Sequence, residues 1–364
     1  MDSIVLENVT KQFGDTVVID QLNLQVRKGE RLILLGSSGC GKSTILRMIS
    51  GLETISGGTL YLNGKVANDI DPGDRGVAMV FQNYALFPHM TIAENISYGL
   101  RIRKVPEDEI RRRIDQALDL LRLSGLGDRR PKQLSGGQRQ RVALARALVN
   151  QAEFFFLDEP LSNLDAQLRA HARKELVKIH EMYGQTFLYV THDQIEAMTV
   201  GQRIAVLDQG KVQMLDTPQR VYHRPANRFV ATFIGSPAMN MIPVQHTGEG
   251  AVLNGVTVAH SEAWRPVLAQ ASAAPTEMGV RPEHVVLTNE PAAGAVPVTV
   301  DYVEDYGNRV AYYFTINGVE AVAVSPTHAI SPEGPTYWVP NERRLHFFAA
   351  DGANIGYPSV WEEL

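Results

Sequence analysis

The feature that most constrains the fold of this chain is a glycine-rich stretch at positions 36–44, Gly-Ser-Ser-Gly-Cys-Gly-Lys-Ser-Thr. The aliphatic run at 32–35 predicts a buried strand before it, and the apolar residues within 45–49 suit the first turns of a helix after it. A glycine-rich loop between a strand and a helix lets successive backbone N–H groups point at phosphate oxygens, and the helix N-terminus adds partial positive charge there. The sequence therefore predicts a P-loop that binds a nucleoside triphosphate.

Within this loop, Lys42 is expected to reach the β- and γ-phosphates, and the hydroxyl of Ser43 is expected to bind Mg²⁺. The other loop residues expected to contact the nucleotide are Ser38, Gly39, Cys40, Gly41 and Thr44. Cys40 is the only cysteine in the sequence, which excludes an internal disulfide and fits a reducing compartment. Because Cys40 lies inside the phosphate loop, its backbone rather than its thiol is expected to act.

Composition narrows the class of protein. At 364 residues the chain is long enough for two or three domains. The net charge of −5 argues against a nucleic-acid partner, which normally requires a basic surface. No apolar run approaches the ~20 residues of a membrane-spanning helix, and the first residues lack the basic and apolar regions of a signal peptide. The cytoplasm is the expected compartment.

The texture of the sequence predicts two domains. Through residues 1–235 strand-like and helix-like segments alternate, which predicts an α/β fold with a mainly parallel sheet covered on both faces. A helical subdomain is expected at about 88–150, and a later helix is expected to bury Leu168, Ala172, Leu176 and Ile179 on one face. From residue 236 to 364, short Val-rich runs separated by Gly, Pro and Asn predict an all-β, barrel-like domain.

A second strand supplies the acidic groups that a P-loop site needs. The apolar run at 154–157 ends in Asp158 and Glu159. Asp158 is expected in the metal shell, directly or through water, and Glu159 is expected to polarise the attacking water as general base. The two neighbouring carboxylates can stay ionised beside Mg²⁺ because the cation offsets their repulsion. A nucleoside triphosphate with Mg²⁺ is therefore the predicted ligand of this site.

A Leu-Ser-Gly-Gly-Gln segment at 134–138 lies between the P-loop and this acidic strand end. Together with the P-loop, Gln82, residues 156–160, the Ser-Asn-Leu-Asp segment at 162–165 and His192, it resembles the ATP-binding cassette of ABC-transporter ATPases. The resemblance covers about residues 1–235 and implies ATP hydrolysis coupled to solute translocation. The segment makes physical sense as a second phosphate-binding helix start, at which Ser135, Gly137 and Gln138 offer donors to a γ-phosphate.

The resemblance also implies roles for single residues. Gln82 is expected to touch Mg²⁺ and sense the membrane partner, and His192 is expected to contact the γ-phosphate as a switch. Asp165 is expected at a dimer contact, and Phe13 matches the aromatic residue that stacks on adenine. In the family the signature segment acts in trans, so two copies are expected to bind two ATP molecules head to tail.

Other segments resemble one branch of the family, the maltose-type carbohydrate-importer ATPases, which include sugar, glycerol-phosphate and oligosaccharide importers. These segments are residues 75–76, 84–90, 229–240 and 279–284. The branch carries a C-terminal regulatory and dimerisation domain of OB-like, TOBE-type barrels, in agreement with the texture after 236. Ser37 departs from the proline common in that branch, and we expect no effect because the loop uses backbone donors.

This branch implies membrane partners. Two transmembrane permease subunits are expected to dock near Tyr84–Tyr98, although a packed loop is an alternative for that segment, and an extracytoplasmic solute-binding protein would act indirectly. The chain is then expected at the cytoplasmic face of the inner membrane, held there through the permeases. The alternatives are an ATPase for sulfate, iron or polyamine import, a soluble ABC ATPase acting on nucleic acid or ribosomes, and a C-terminal domain that docks regulatory proteins while one ATPase serves several permeases.

Overall fold

The structure, a computed structural model, describes residues 2–247 and 250–361, which fall into two units divided between Pro218 and Gln219. The domain boundary expected near residue 236 stays a prediction. Within the described residues, no helix is long and apolar enough to cross a bilayer.

The first unit combines strands and helices. Its strands are β1 (Asp2–Phe13), β2 (Thr16–Arg27), β3 (Arg31–Gly36), β4 (Gly57–Leu62), β5 (Lys65–Val66), β6 (Val77–Val80), β7 (Phe154–Asp158), β8 (Thr186–Thr191), β9 (Arg203–Asp208) and β10 (Lys211–Asp216). Its helices are α1 (Lys42–Ser50), α2 (Ile92–Ile102), α3 (Glu107–Leu120), α4 (Gly136–Leu148), α5 (Ala166–Tyr183) and α6 (Gln194–Val200), and α7 (Pro218–His223) begins at its end.

The central sheet has the order β10-β9-β3-β8-β7-β6. The pairs β9-β3, β3-β8, β8-β7 and β7-β6 are parallel, and only the β10-β9 pair of this sheet is antiparallel. Every residue of β7 and β8 is buried, as expected for parallel strands covered on both faces. The predicted α/β fold is confirmed.

A second sheet of order β2-β1-β4-β5 is antiparallel, and the sequence texture does not separate it from the first. Its apolar residues share one core cluster with the central sheet and α1, in which Leu24, Leu34 and Ile45 represent the three elements. The helix that follows the P-loop is therefore held by buried contacts with both sheets.

Arg75 anchors the far end of α1. Its buried guanidinium donates from Nη1 to the carbonyls of Met48 (2.8 Å) and Ile49 (3.1 Å), and from Nε to that of Ile70 (2.7 Å). Gly51 ends the helix with φ 81°, and a Cβ there would lie 2.6 Å from Arg75 Nε. The last carbonyls of α1, which lack partners within the helix, are thus satisfied by a buried cation.

The second unit holds strands β11 (Asn240–Pro243), β12 (Gln245–His246), β13 (Gly250–Leu253), β14 (Val256–Ala259), β15 (Pro275–Val280), β16 (Val286–Thr288), β17 (Val296–Asp305), β18 (Val310–Ile316), β19 (Val319–Ser325), β20 (Thr336–Val339) and β21 (Leu345–Ala349). They form antiparallel sheets of order β11-β15-β21, β12-β13-β14 and β16-β20-β17-β18-β19 around one apolar core. Helices α8 (Arg228–Phe233) and α9 (Trp264–Gln270) accompany them. The predicted β-rich domain is confirmed, whereas the sequence pattern does not predict α9.

Candidate active site

A cavity of about 480 Å³ lies where the central parallel strands end. The P-loop follows β3, Gln82 follows β6, Glu159 follows β7 and His192 follows β8. Because the carboxyl ends of parallel strands meet at the same edge of a sheet, residues far apart in sequence converge there. The cavity is lined by Ser38, Gly39, Gly41, Lys42, Ser43, Thr44, Gln82, Glu159 and His192.

The P-loop needs its glycines for backbone shape. Gly39 and Gly41 have φ of 80° and 103°, values that favour glycine over residues with a Cβ. Lys42 begins α1, and its Nζ donates to the carbonyls of Gly36 (2.8 Å) and Ser37 (2.6 Å). Cys40 is buried, and burial raises the pKa of its thiol. A protonated thiol fits the expectation that only the backbone of Cys40 acts.

Ser43 and Asp158 meet as a pair of oxygen donors. The Ser43 hydroxyl donates to Asp158 Oδ1 over 2.8 Å. Burial raises the pKa of Asp158, and the hydrogen bond from Ser43 opposes that rise. A hydroxyl beside a buried carboxylate supplies the hard oxygen ligands that Mg²⁺ prefers, and a cation there would favour the ionised carboxylate. The residues present therefore fit the predicted metal.

Side chains from three chain segments come together at Glu159. Its carboxylate accepts a hydrogen bond from Gln82 Nε2 over 3.2 Å and lies 3.2 Å from His192 Nδ1. Its backbone has φ 45°, and its N–H donates to the carbonyl of Val190 (3.0 Å). Left-handed backbone at a non-glycine residue is uncommon and concentrates at functional sites. The arrangement suits a base with two polar neighbours.

The signature segment lies outside the lining of this cavity. Ser135 caps α4: its hydroxyl accepts from the N–H of Gln138 (3.3 Å), and its own N–H donates to Gln138 Oε1 (2.9 Å). Gly137 is in the first turn of that helix. Asp165, which caps α5 through the N–H of Leu168, is likewise absent from the lining. One chain thus keeps its P-loop and its signature at separate places.

Phe13 is the last residue of β1, and its exposed ring lies outside the cavity lining. Lys11 Nζ lies 4.5 Å from the ring centroid. An exposed aromatic face is what stacking on a base requires. The adenine role of Phe13 stays a prediction.

Two contacts near the site are not predicted from the sequence. The Asn163 side chain donates to the carbonyl of Gln82 (2.9 Å), and Arg169 pairs with Asp193 (3.0 Å) next to His192. Asn163 lies in the 162–165 segment, which was a usable signal, although only Asp165 is assigned a role from the sequence. No spacing in the sequence points to Arg169.

A second cavity, of about 490 Å³, is lined in part by the segment Tyr84–Tyr98, where permease docking is expected. The rings of Phe87 and Tyr98 are 4.6 Å apart, and Ile102 beside them is 64% exposed. Arg146 of α4 also lines the cavity, and its guanidinium donates to the carbonyls of Tyr84 (2.8 Å) and Ala85 (2.7 Å). These residues form an open, largely apolar groove, and the Arg146 guanidinium fixes the backbone of the turn beside it.

Comparison with known families assigns most of the chain. Residues 19–162 match the ABC transporter family, residues 235–285 the MalK OB fold domain and residues 278–348 the TOBE domain.

Relatives similar over nearly the full chain carry the names of import proteins. The sn-glycerol-3-phosphate import ATP-binding protein UgpC of Ruegeria pomeroyi is 46% identical over 353 residues, covering 96% of this chain and 97% of that protein. The maltose/maltodextrin import ATP-binding protein MalK of Escherichia coli K12 is 44% identical, with 97% of each chain covered. GgtA of Synechocystis, an osmoprotective compounds uptake ATP-binding protein, is 44% identical and covers 96% of this chain and 98% of its own.

Solved structures match the first part of the chain. The dimeric ATP-binding cassette MJ0796 bound to ADP and Pi aligns with TM-score 0.54 and 33% identity over 59% of this chain and 98% of its own. CbiO1 of Clostridium perfringens, part of the transporter complex cbiONQ, aligns with TM-score 0.56 and 30% identity, covering 60% of this chain and 90% of its own.

Proposed function

We propose that this chain, which belongs to the family of ABC-transporter ATP-binding subunits with a MalK-type OB domain and a TOBE domain, powers uptake of a carbohydrate or a related solute. The chain is an ATPase of the importer type that uses ATP with Mg²⁺. The relatives are named for maltose, for glycerol phosphate and for osmoprotective compounds, and this range supports a small polyhydroxylated solute.

The observation that carries the proposal is the separation of the two phosphate-binding helix starts. The cavity holds the P-loop, Gln82, Glu159 and His192, whereas Ser135 and the rest of the signature lie outside its lining. A second copy, placed head to tail, would bring its signature over the phosphates of the first. Two such interfaces bind two ATP molecules, and the dimeric state of MJ0796 supports this assembly.

The residues of the cavity divide the work of hydrolysis. Lys42 and the loop N–H groups hold the phosphates, and Ser43, Asp158 and Gln82 would hold Mg²⁺. Mg²⁺, when bound, offsets the negative charge of the β- and γ-phosphates.

Glu159 accepts a proton from the attacking water. The water oxygen bonds to the γ-phosphorus as the bond from that phosphorus to the β–γ bridging oxygen breaks. Gln82 and His192 orient the carboxylate of Glu159, from which they lie 3.2 Å, and His192 contacts the γ-phosphate.

The groove around Phe87, Tyr98 and Ile102 is the proposed seat of a permease segment. Gln82 is only a few residues before this groove, and Arg146 fixes the turn between them. Closure of two copies requires contacts that exist only with the γ-phosphate present, so hydrolysis reopens them and moves the permeases. The chain would then work at the cytoplasmic face of the membrane, with a solute-binding protein delivering solute from the other side.

The test is ATP turnover with and without the neighbouring permeases in lipid vesicles, using a panel of solute-loaded binding proteins. A sugar-loaded binding protein should raise turnover severalfold. Ile102→Glu in the groove should abolish this rise and keep basal turnover, while Met182→Glu, equally exposed on α5 at 61%, should change neither. Turnover that ignores permeases but responds to nucleic acid or ribosomes would refute the transport role.

A further inference from the structure

The second unit contains a cavity of about 240 Å³ with an unusual lining. Four arginines, three histidines and two tyrosines surround it, and no carboxylate lines it within the described part of the chain. The volume is smaller than the 300–1,000 Å³ typical of pockets for drug-sized ligands. The cavity therefore suits a small ligand, and its lining favours negative charge.

Arg281 is the buried floor of this cavity. Its side chain is 1% exposed, and its guanidinium donates to the carbonyls of Tyr222 (2.7 Å), Ala231 (3.2 Å) and Ile234. Its Nε has no hydrogen-bond partner among the described residues. The nearby carboxylate of Glu283 accepts from the Tyr222 hydroxyl instead. A buried cation without an ion-pair partner is costly, and a bound anion would remove that cost.

The histidines of the cavity add hydrogen-bonding ring nitrogens to its lining. His284 Nδ1 is buried and, within the described residues, has no partner. Burial lowers the pKa of His284, and the charges of Arg344, His223 and Arg281 lower it further, against an opposite effect of Glu283. The positive charge of the cavity therefore comes from its arginines, and the nearby carboxylate of Glu283 offsets part of it.

Arg343 and Arg344 stand at the rim, where a short 3-10 turn capped by Asn341 ends before β21. Across the described residues, neither side chain forms a hydrogen bond or an ion pair with a carboxylate. Their guanidinium forks are thus available, and a guanidinium matches an oxyanion through two parallel hydrogen bonds.

We propose that this cavity binds the phosphate group of a small anion, so that the second unit carries a ligand site separate from the ATP site. Phosphate fits better than a carboxylate because it offers more acceptor oxygens and up to two charges to a lining of guanidinium, imidazole and phenol donors. An anion bridging Arg281 and the rim arginines joins the α7–α8 segment, whose carbonyls Arg281 holds, to the start of β21.

The test is calorimetric titration of the full chain in the Lys42→Ala background, which weakens phosphate binding at the P-loop. The probes are inorganic phosphate, glucose 6-phosphate and acetate. One phosphate-bearing ligand should bind per chain, and the Arg343→Gln/Arg344→Gln double variant should weaken it by about tenfold or more. Arg265→Gln, an exposed arginine of the same unit outside the cavity, is the matched control and should have no effect.

The probes also distinguish the source of the phosphate. Equal affinity for both phosphate probes assigns free phosphate, and binding of the ester alone assigns a phosphorylated metabolite. No binding of either probe, binding unchanged by the rim variants, or acetate binding as tightly as phosphate would each overturn the proposal. With Lys42 intact, the rim variants should retain basal ATP turnover, so this outcome is independent of the transport role.

Discussion

At the scale of single residues, the proposed hydrolysis depends on the position of Glu159. Its left-handed backbone and its N–H bond to Val190 place the carboxylate against Gln82 and His192. Because these contacts fix the side chain, an isosteric substitution should keep its position while it removes the basic group. Substitutions that keep the shape of the Glu159 side chain therefore distinguish a loss of proton transfer from a loss of correct positioning.

Glu159→Gln should retain ATP binding and trap the closed dimer, because the amide keeps the shape of the carboxylate but does not accept the proton. Hydrolysis should fall by about 10²–10⁴-fold, the usual contribution of a general base. Single-turnover hydrolysis and nucleotide binding measure the two effects, with Glu181→Gln on the surface of α5 as the control. Undiminished turnover would refute the assignment of Glu159.

Lys42→Ala should weaken the binding of ATP itself, since a charge-assisted contact contributes about 1.5–3 kcal/mol, or roughly ten- to a hundredfold in affinity. Titration with a non-hydrolysable ATP analogue measures it. Lys28→Ala removes an exposed lysine of the same unit and should leave the affinity unchanged. Equal affinity in Lys42→Ala and the wild type would count against the predicted P-loop contacts.

What the sequence predicts at this scale follows from local motifs. Lys42, Ser43, Asp158 and Glu159 stand in short runs whose flanking strands determine where the side chains go. Asn163 is different, because its contact joins it to Gln82, 81 positions earlier in the chain. Such a contact depends on how segments pack and has no local signature.

At the scale of elements, α2 and α4 begin with the same device. Thr91 with Glu94, and Ser135 with Gln138, form capping boxes that satisfy N–H groups at the helix start. In α2 the cap serves the helix alone. In α4 the same hydroxyl is also a proposed phosphate donor, so the two caps provide a matched comparison.

Thr91→Ala should lower the free energy of unfolding by about 1 kcal/mol and leave turnover unchanged. Ser135→Ala should cost a similar stability and also reduce turnover, because the signature loses a donor to the γ-phosphate. Urea unfolding and steady-state hydrolysis of both variants measure this difference. If Ser135→Ala turns over ATP like Thr91→Ala, the hydroxyl serves only as a cap.

Hydrophobic periodicity predicts that a helix forms better than it predicts which of its residues are buried. On α5, Ala172, Leu176 and Ile179 are buried as expected, but Leu168 is 40% exposed. Leu168 lies in the first turn, beside Gly137 of α4, where the expected apolar face is open. In the short α9, Trp264 is buried in the core and Val267 and Leu268 pack partly buried against it, which are too few positions for a recognisable helical pattern.

At the scale of the whole molecule, each unit has its own apolar core, and a change in sequence texture does not by itself show which core a flanking helix joins. Residues 219–235 read as helical, like the first unit, yet Arg281 of the second unit holds the carbonyls of Tyr222 and Ala231. The boundary expected near residue 236 follows from the change in sequence texture, and it stays a prediction. Contacts between distant residues decide which core a helix joins.

The second unit should lose stability in acid. Burial lowers the pKa of His346 to about 3 and that of His246 to about 4, below the value near 6.5 of an unfolded chain. The unfolded state therefore binds more protons as the pH falls from about 6.5 to about 4. Each histidine should remove roughly 1.4 kcal/mol per pH unit in that window, and its contribution is fully present above it.

Tryptophan fluorescence isolates this effect, because all three tryptophans of the sequence lie after residue 219. Urea unfolding at pH 7, 6 and 5 in phosphate-free buffer should show the predicted loss. His346→Gln should flatten the slope, and exposed His89→Gln should not. A slope that is the same in both variants would contradict the assignment.

Arg75 has a mechanical consequence. It ties the end of α1 to the residues just before β6, while the P-loop begins α1 and Gln82 follows β6. The helix and the strand are therefore joined at the ends remote from the nucleotide, and form a stiff, two-armed frame around it. If a permease contacts Gln82 as proposed, β6 and Arg75 would couple a displacement there to α1, so that a movement of one arm would move the other.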